Sequence, residues 1–211
     1  MSRDRRIDPR RPPTTRAGAD IIESIVAAAG RVLDDGGLDA FTTNRVAELA
    51  GVSIGSLYRY FPNKDALLAE LARRMERHTE ALAVRILLTA DDDAPLAEVA
   101  GRMIDALLGE LGGIGLRQAI RRQVPPSWTA PVSADVDRSV RRAVAAAMAR
   151  RADVRAGPHE LMAWIAVHAV EQVIEVAVVN EPALLAAPAF RAELIELVVR
   201  YLRRADAPPG A

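Results

Sequence analysis

The chain contains no cysteine. That excludes disulfides, zinc ribbons and thiol catalysis, and it suits a reducing compartment. Histidine is scarce, with three in 211 residues and none in a zinc-like spacing, so no metal is expected. There is no glycine-rich phosphate loop, no G-x-S-x-G turn and no acid/base pair of recognisable spacing. Neither catalysis nor a cofactor is therefore expected. Excess charge is missing as well, since 28 Lys plus Arg balance 28 Asp plus Glu. Any polyanion must be met by local placement of charge rather than by bulk basicity. Lysine itself is almost absent: Lys64 is the single one among the 28 basic residues. No internal repeat or low-complexity tract appears.

Half of the residues are hydrophobic, which marks a globular chain. Its length suits one large or two small domains. Residues 1–16, with six Arg against two Asp, read as a basic disordered arm positioned to follow phosphates or simply to add positive charge. They hold no apolar core segment, so a signal peptide is not expected. The apolar stretch from Leu161 to Val179 carries His168, Glu171, Gln172 and Glu175. Charges at mid-bilayer are costly, so it reads as a buried helix with no membrane partner.

The segment from Thr42 to Lys64, TTNRVAELAGVSIGSLYRYFPNK, is the most informative. Thr43 is placed to cap a short helix whose Val46, Leu49 and Ala50 share one face. Gly51 supplies the positive φ of a sharp turn, which Val52 plugs. Ser53 caps a second short helix carrying Leu57 inward and Tyr58, Arg59 and Tyr60 outward. Asn63 caps a third helix, with Lys64 in its first turn. Cap, helix, glycine turn, cap and helix is the layout of a helix-turn-helix, whose second helix enters a DNA major groove. The run AGVSIGSLYRYFPNKDALL, preceded by TTNRVAELA and by VLDDGGLDAFT, resembles the tetracycline-repressor (TetR) family of bacterial regulators over residues about 17 to 68. The GVS, LY-x-YF and NK elements keep that family's relative spacing. Beyond residue 70 the likeness is confined to helix lengths.

The rest of the chain reads as helices. Ile22, Ile25, Val26, Ala29, Val32 and Leu33 make the core face of a first helix that Gly36-Gly37 ends. A long helix from Lys64 to about Leu88 steps Leu68, Leu71, Met75, His78, Leu82 and Ile86 along one face, with His78 read as a packed or hydrogen-bonded core histidine. Further helices are expected over Leu96–Leu111, Leu116–Gln123, Ser133 to about Arg151, Gly157 to about Asn180, and from Pro188. The Gly157–Asn180 segment is apolar nearly all round, so it must be covered on more than one side. Paired with the final helix, it can meet a second copy as a four-helix bundle. The expected fold is all-α with about nine helices. A helix-turn-helix domain at 17–65 is joined by the long helix to a C-terminal effector-binding and dimerisation domain at 66–204, followed by a tail at 205–211.

What the resemblance implies is carried over position by position. Thr43 falls where the family binds phosphate, with Asn44 and Arg45 as outward neighbours. Ile54, Gly55, Ser56, Tyr58, Arg59 and Tyr60 fall where the family faces the groove or its walls. Arg59 suits guanine O6/N7, Ile54 a thymine methyl, and Ser56 and Tyr58 phosphate. Lys64 adds a phosphate contact at a helix N-terminus. The family dimerises through its last two helices, with Val170, Ile174, Phe190, Leu194, Leu197, Val198 and Tyr201 as candidates here. Met103, Trp128, Met148, Met162 and Trp164 are candidates to line an effector pocket; Arg117, Arg121 and Arg122 suit an acidic effector or a solvated face. Expected partners are a palindromic double-stranded DNA operator, a second copy of the chain and a small-molecule effector, in the cytoplasm and with the nucleoid when bound. The alternative keeps the helix-turn-helix but gives the C-terminal half a protein partner instead of a small ligand.

Overall fold

The computed structural model of the chain describes residues 15–109 and 124–204. The arm before Thr15, the expected Leu116–Gln123 helix with Arg117, Arg121 and Arg122, and the tail lie outside them. Among the described residues the structure is all-α, with eight α-helices, one short 3-10 helix and no strand. These residues form two compact units. The first comprises those up to Glu76 and those from 124 to Ser133; the second comprises Arg77 to 109 and Ala134 to 204.

In the first unit, helix α1 (Arg16–Ala40) is capped by the Thr15 hydroxyl, which accepts from the Gly18 N–H at 3.2 Å. Its expected inner face is buried throughout. Helical geometry breaks at Gly37, whose φ of 63° is costly for any residue with a Cβ. Gly36 is equally constrained, because a Cβ there would lie 2.5 Å from that of Ala40. Helix α2 spans Thr43–Leu49, and its cap is Thr42 rather than Thr43: the Thr42 hydroxyl accepts from the Arg45 N–H at 3.2 Å. Two adjacent threonines offered two registers, and the three-residue reach to a free N–H selects the earlier one. Thr42→Ala should lower stability by about 1 kcal/mol in denaturant unfolding, whereas Thr43→Ala should leave the cap intact.

On α2, Val46 and Ala47 are buried and Leu49, expected to face inward, is 43% exposed. Gly51 turns the chain at φ 67°, and the Val52 N–H donates back to the Ala47 carbonyl at 3.0 Å. Helix α3 (Ile54–Tyr60) is capped by Ser53, and helix α4 (Lys64–Thr89) by Asn63, whose Oδ1 accepts from the Ala66 N–H at 2.8 Å. The first turns of α4 bury Ala66, Leu67, Leu68 and Leu71 in the core shared with α1, Phe41, Leu57 and Phe61. That is why the unit extends to Glu76, past the boundary at 65/66 read from the sequence. Beyond it the buried stripe of α4 is Ala83, Ile86 and Leu87, and His78 lies off that stripe and is exposed, not in the core. The Glu23 carboxyl is held below the ordinary carboxylate range by a hydrogen bond from Arg74 of α4.

Helix α5 is Leu96–Gly109, and helix α6 runs Pro126–Arg150. The latter starts earlier than the Ser133 cap expected, because Pro126 needs no N–H partner at a first helical position. Ser133 lies inside it, and its hydroxyl donates to the Glu76 carboxylate at 2.9 Å. The Arg73 guanidinium donates to the Trp128 carbonyl at 3.1 Å. In the second unit, helix α7 (His159–Asn180) leads through a 3-10 turn (Pro182–Ala186) to helix α8 (Pro188–Leu202). Leu96, Met148, Met162, Ala163, Val199 and Leu202 build its core. Asp105 of α5 pairs with Arg191 of α8, and that hydrogen bond holds the Asp105 carboxyl below its usual range. Helix α7 is long and apolar enough to cross a membrane by length and hydropathy, but it packs Met162, Ala166, Val170, Ile174 and Ala177 into its own unit.

Candidate nucleic-acid interface and apolar cavity

Helix α3 has a sharp division of faces. Leu57 is fully buried, Tyr60 is 7% exposed and Phe61, the next residue, is fully buried. Ile54 is 39% and Tyr58 42% exposed, and Gly55 and Arg59 lie on the same solvent side. Residues 57 and 60 lie one turn apart on the inward face while 58 and 59 turn away from it, and Ile54 is exposed at the first position of the helix. Asn44 and Arg45 of α2 are also exposed. The Thr43 and Tyr58 hydroxyls are 3.0 Å apart and join the start of α2 to the middle of α3. This bond was not legible in the sequence, since the two residues are fifteen positions apart. Ser56 is half-buried, with its hydroxyl 2.9 Å from that of Ser53.

Two expected contacts need correction. Tyr60 does not face outward: its ring belongs to the core, and the Arg59 guanidinium lies 5.9 Å from its centroid. Lys64 is drawn inward, donating from Nζ to the Leu38 carbonyl at 3.3 Å and lying 5.4 Å from the centroid of the Phe41 ring. An ammonium has three donors, so this contact leaves others for a phosphate. The edge that remains combines an aliphatic tip, two hydroxyls and an arginine fork, groups suited to methyl, phosphate and guanine contacts.

The second unit encloses an apolar cavity of about 150 Å³ between α4, α5, α6, α7 and α8. Of the effector-pocket candidates, Met103 and Met148 line it. So do Leu87, Leu96, Val99, Ile104, Val140 and Val144, which periodicity could identify only as apolar positions. The other expected lining residues lie elsewhere. Met162 is core, 1% exposed. Trp128 packs against the core of the first unit. Trp164 is 45% exposed and stacks on His168, with ring centroids 4.7 Å apart. In the polar stripe of α7 one His168 ring nitrogen is 2.9 Å from the Trp164 carbonyl and the other 3.7 Å from Asp137 of α6, and Gln172 donates to Glu175 at 3.0 Å.

The interface candidates on the last two helices also divide. Val170, Ile174 and Leu194 are buried within their own unit, and Val170 and Val198 line the cavity. Leu197 is 46% exposed, while Phe190 and Tyr201 are half-buried. The free apolar face of α7 is instead Leu161, Ile165, Val176 and Val179, on the side opposite its buried stripe. Among the described residues no group of three or more His, Asp or Glu gathers to hold a metal.

Residues 25–71 match the family described as bacterial regulatory proteins, tetR family, and residues 95–202 match the tetracyclin repressor-like C-terminal domain. The tetracycline repressor protein class A from transposon 1721 of Escherichia coli is 35% identical over 111 residues, 51% of this chain and 49% of that protein. The chain thus spans about half the length of that relative, and less of the other curated relatives it matches. Among solved structures, a transcriptional regulator from Rhodococcus sp. Rha1 superposes with a TM-score of 0.64 at 21% identity, over 89% of this chain and 99% of that one. SmeT, the repressor of the Stenotrophomonas maltophilia multidrug efflux pump SmeDEF, does so with a TM-score of 0.58 at 17% identity, over 91% and 96%. At these identities the structural likeness is one of fold.

Proposed function

Since the chain belongs to the tetR family of bacterial regulatory proteins, we propose that it is a cytoplasmic homodimeric repressor, released from a palindromic operator by a small-molecule effector. The observation that carries this reading is the two-faced α3, which buries Leu57, Tyr60 and Phe61 and leaves Ile54, Tyr58 and Arg59 to a partner. Thr43, Asn44, Arg45, Ser56 and Lys64 supply backbone contacts that set register, and Arg59 reads a guanine. In a dimer the two recognition helices enter successive major grooves near 34–36 Å apart. The exposed faces of α7 and α8 supply the surface for a second copy, as a self-complementary patch must. The cavity supports a small-molecule effector over a protein partner for the second unit, because a filled core would have left nothing to occupy. An effector that binds one dimer spacing more tightly than the other shifts the population and weakens DNA binding.

The test is a gel-shift assay on the DNA upstream of the chain's own gene, with and without a panel of small molecules. A retarded complex that a compound dissolves supports the reading; no complex on that DNA overturns it. Arg59→Ala should lose about 1–3 kcal/mol of discrimination at one base pair per half-site, measured across single-base operator variants. If the ranking of those variants did not change, Arg59 would not be reading sequence.

A further inference from the structure

We propose that the cavity of the second unit selects an organic monocation with an apolar body one ring in size, its charge held at Glu80. The proposal rests on the reading of this cavity as the effector site. Size comes first: about 150 Å³ is the volume at which an apolar protein cavity accepts a benzene ring. The walls come second. Leu87, Leu96, Val99, Ile104, Val140 and Val144 are aliphatic, so polar groups on the ligand body would be stranded without partners. Sugars, nucleotides and other polyhydroxylated ligands are thereby disfavoured.

Charge decides the rest. The charged residues on the lining are Glu80, Arg151 and Glu171. Arg151 donates to both Asp153 carboxylate oxygens at 2.8 and 2.7 Å and to the Ala94 carbonyl at 2.6 Å. Asp153 offsets its charge and occupies the Nε–Nη2 edge of its fork, which disfavours an anion there. Two carboxylates remain. Glu80 is half-buried and, among the described residues, has no hydrogen-bond or ion-pair partner. It also lines a second, open groove with Ala81, Val84, Arg85, Leu88 and Ser139, the side chain of Arg85 being exposed to solvent. A residue common to the cavity and to the solvent-facing groove stands at the mouth between them. A ligand seated with its ring among the aliphatic side chains would place its head group there, in a partly desolvated setting where an opposite charge attracts and a like charge repels.

Near-isosteric probes separate the possibilities: benzylammonium, benzyl alcohol and benzoate, titrated calorimetrically into the full-length protein. Benzylammonium should bind at least about tenfold more tightly than benzyl alcohol, with benzoate weakest. Glu80→Gln should bring benzylammonium down to the level of the alcohol and leave the alcohol unchanged. Val140→Phe, which fills the cavity, should abolish binding of all three; if that variant no longer retards operator DNA, Ala147→Leu fills the same space more gently. Benzoate binding most tightly, or an unchanged order in Glu80→Gln, would overturn the cation assignment. Should the alcohol or benzoate bind in the cavity and release operator DNA, the effector-site reading would stand without it. Binding by none of the three, or binding that survives both cavity-filling variants, would overturn both.

Discussion

Phe61→Ala is expected to cost about 3–5 kcal/mol, the range for deleting a fully buried aromatic ring. Small domains have only about 5–15 kcal/mol in total, so the variant should leave the DNA-reading unit marginal or unfolded. Phe61 follows the last turn of α3, and its N–H donates to the Leu57 carbonyl at 2.8 Å. Its ring closes the corner where α3 hands the chain to α4, in the same cluster as Ile25, Val32, Phe41 and Leu67. An empty site there removes the floor on which the reading edge stands. Urea unfolding followed by far-UV dichroism should show an early transition for the first unit, while that of the second keeps its midpoint. Phe61→Leu, which keeps most of the volume, should cost less. A single unshifted transition in Phe61→Ala would mean that the corner contributes little.

Val176→Asp should convert a dimer into monomers and carry operator affinity toward its non-specific level, a loss of roughly 10³-fold or more. Val176 is 55% exposed on the free face of α7, beside Val179 and in line with Ile165 and Leu161. It touches no core of its own unit, so the substitution should leave dichroism and melting of the isolated chain almost unchanged. In a symmetric pair every residue of the patch appears twice, so one change per chain buries two like charges in one apolar interface. Sedimentation would report the mass and a gel shift the affinity. A Val176→Asp protein that stays dimeric and binds as before would place the interface elsewhere. Ile174→Asp is the informative contrast: Ile174 is 6% exposed inside its own unit, so that variant should lose stability first.

The two predictions show where reading residues in order stops being enough. Val170, Ile174 and Val176 belong to one helix that is apolar nearly all round, and no period distinguishes the side facing its own unit from the side left open. Tyr58 and Tyr60 pose the same question two residues apart. Both look amphipathic in sequence, and the packing of α3 on Phe41 and Leu67 sends only Tyr60 inside. Bulk alone makes Trp128 a pocket candidate in the sequence. The structure seats it against the first unit, with its carbonyl held by Arg73.

From the sequence by itself came most of what a few neighbouring residues can decide, the choice of Thr42 over Thr43 as a cap and the start of α6 excepted. The Ser53 and Asn63 caps, the left-handed glycines at 37 and 51, the α1 core face and the helix-turn-helix they assemble all depend on partners within about four positions. Tertiary structure alone decided the cavity, the open face of α7, the Thr43–Tyr58 bond and the inward turn of Lys64. Each depends on residues brought together from distant parts of the chain, and burial is a property of that gathering: an apolar side chain carries its hydrophobicity with it, but not the identity of what will cover it.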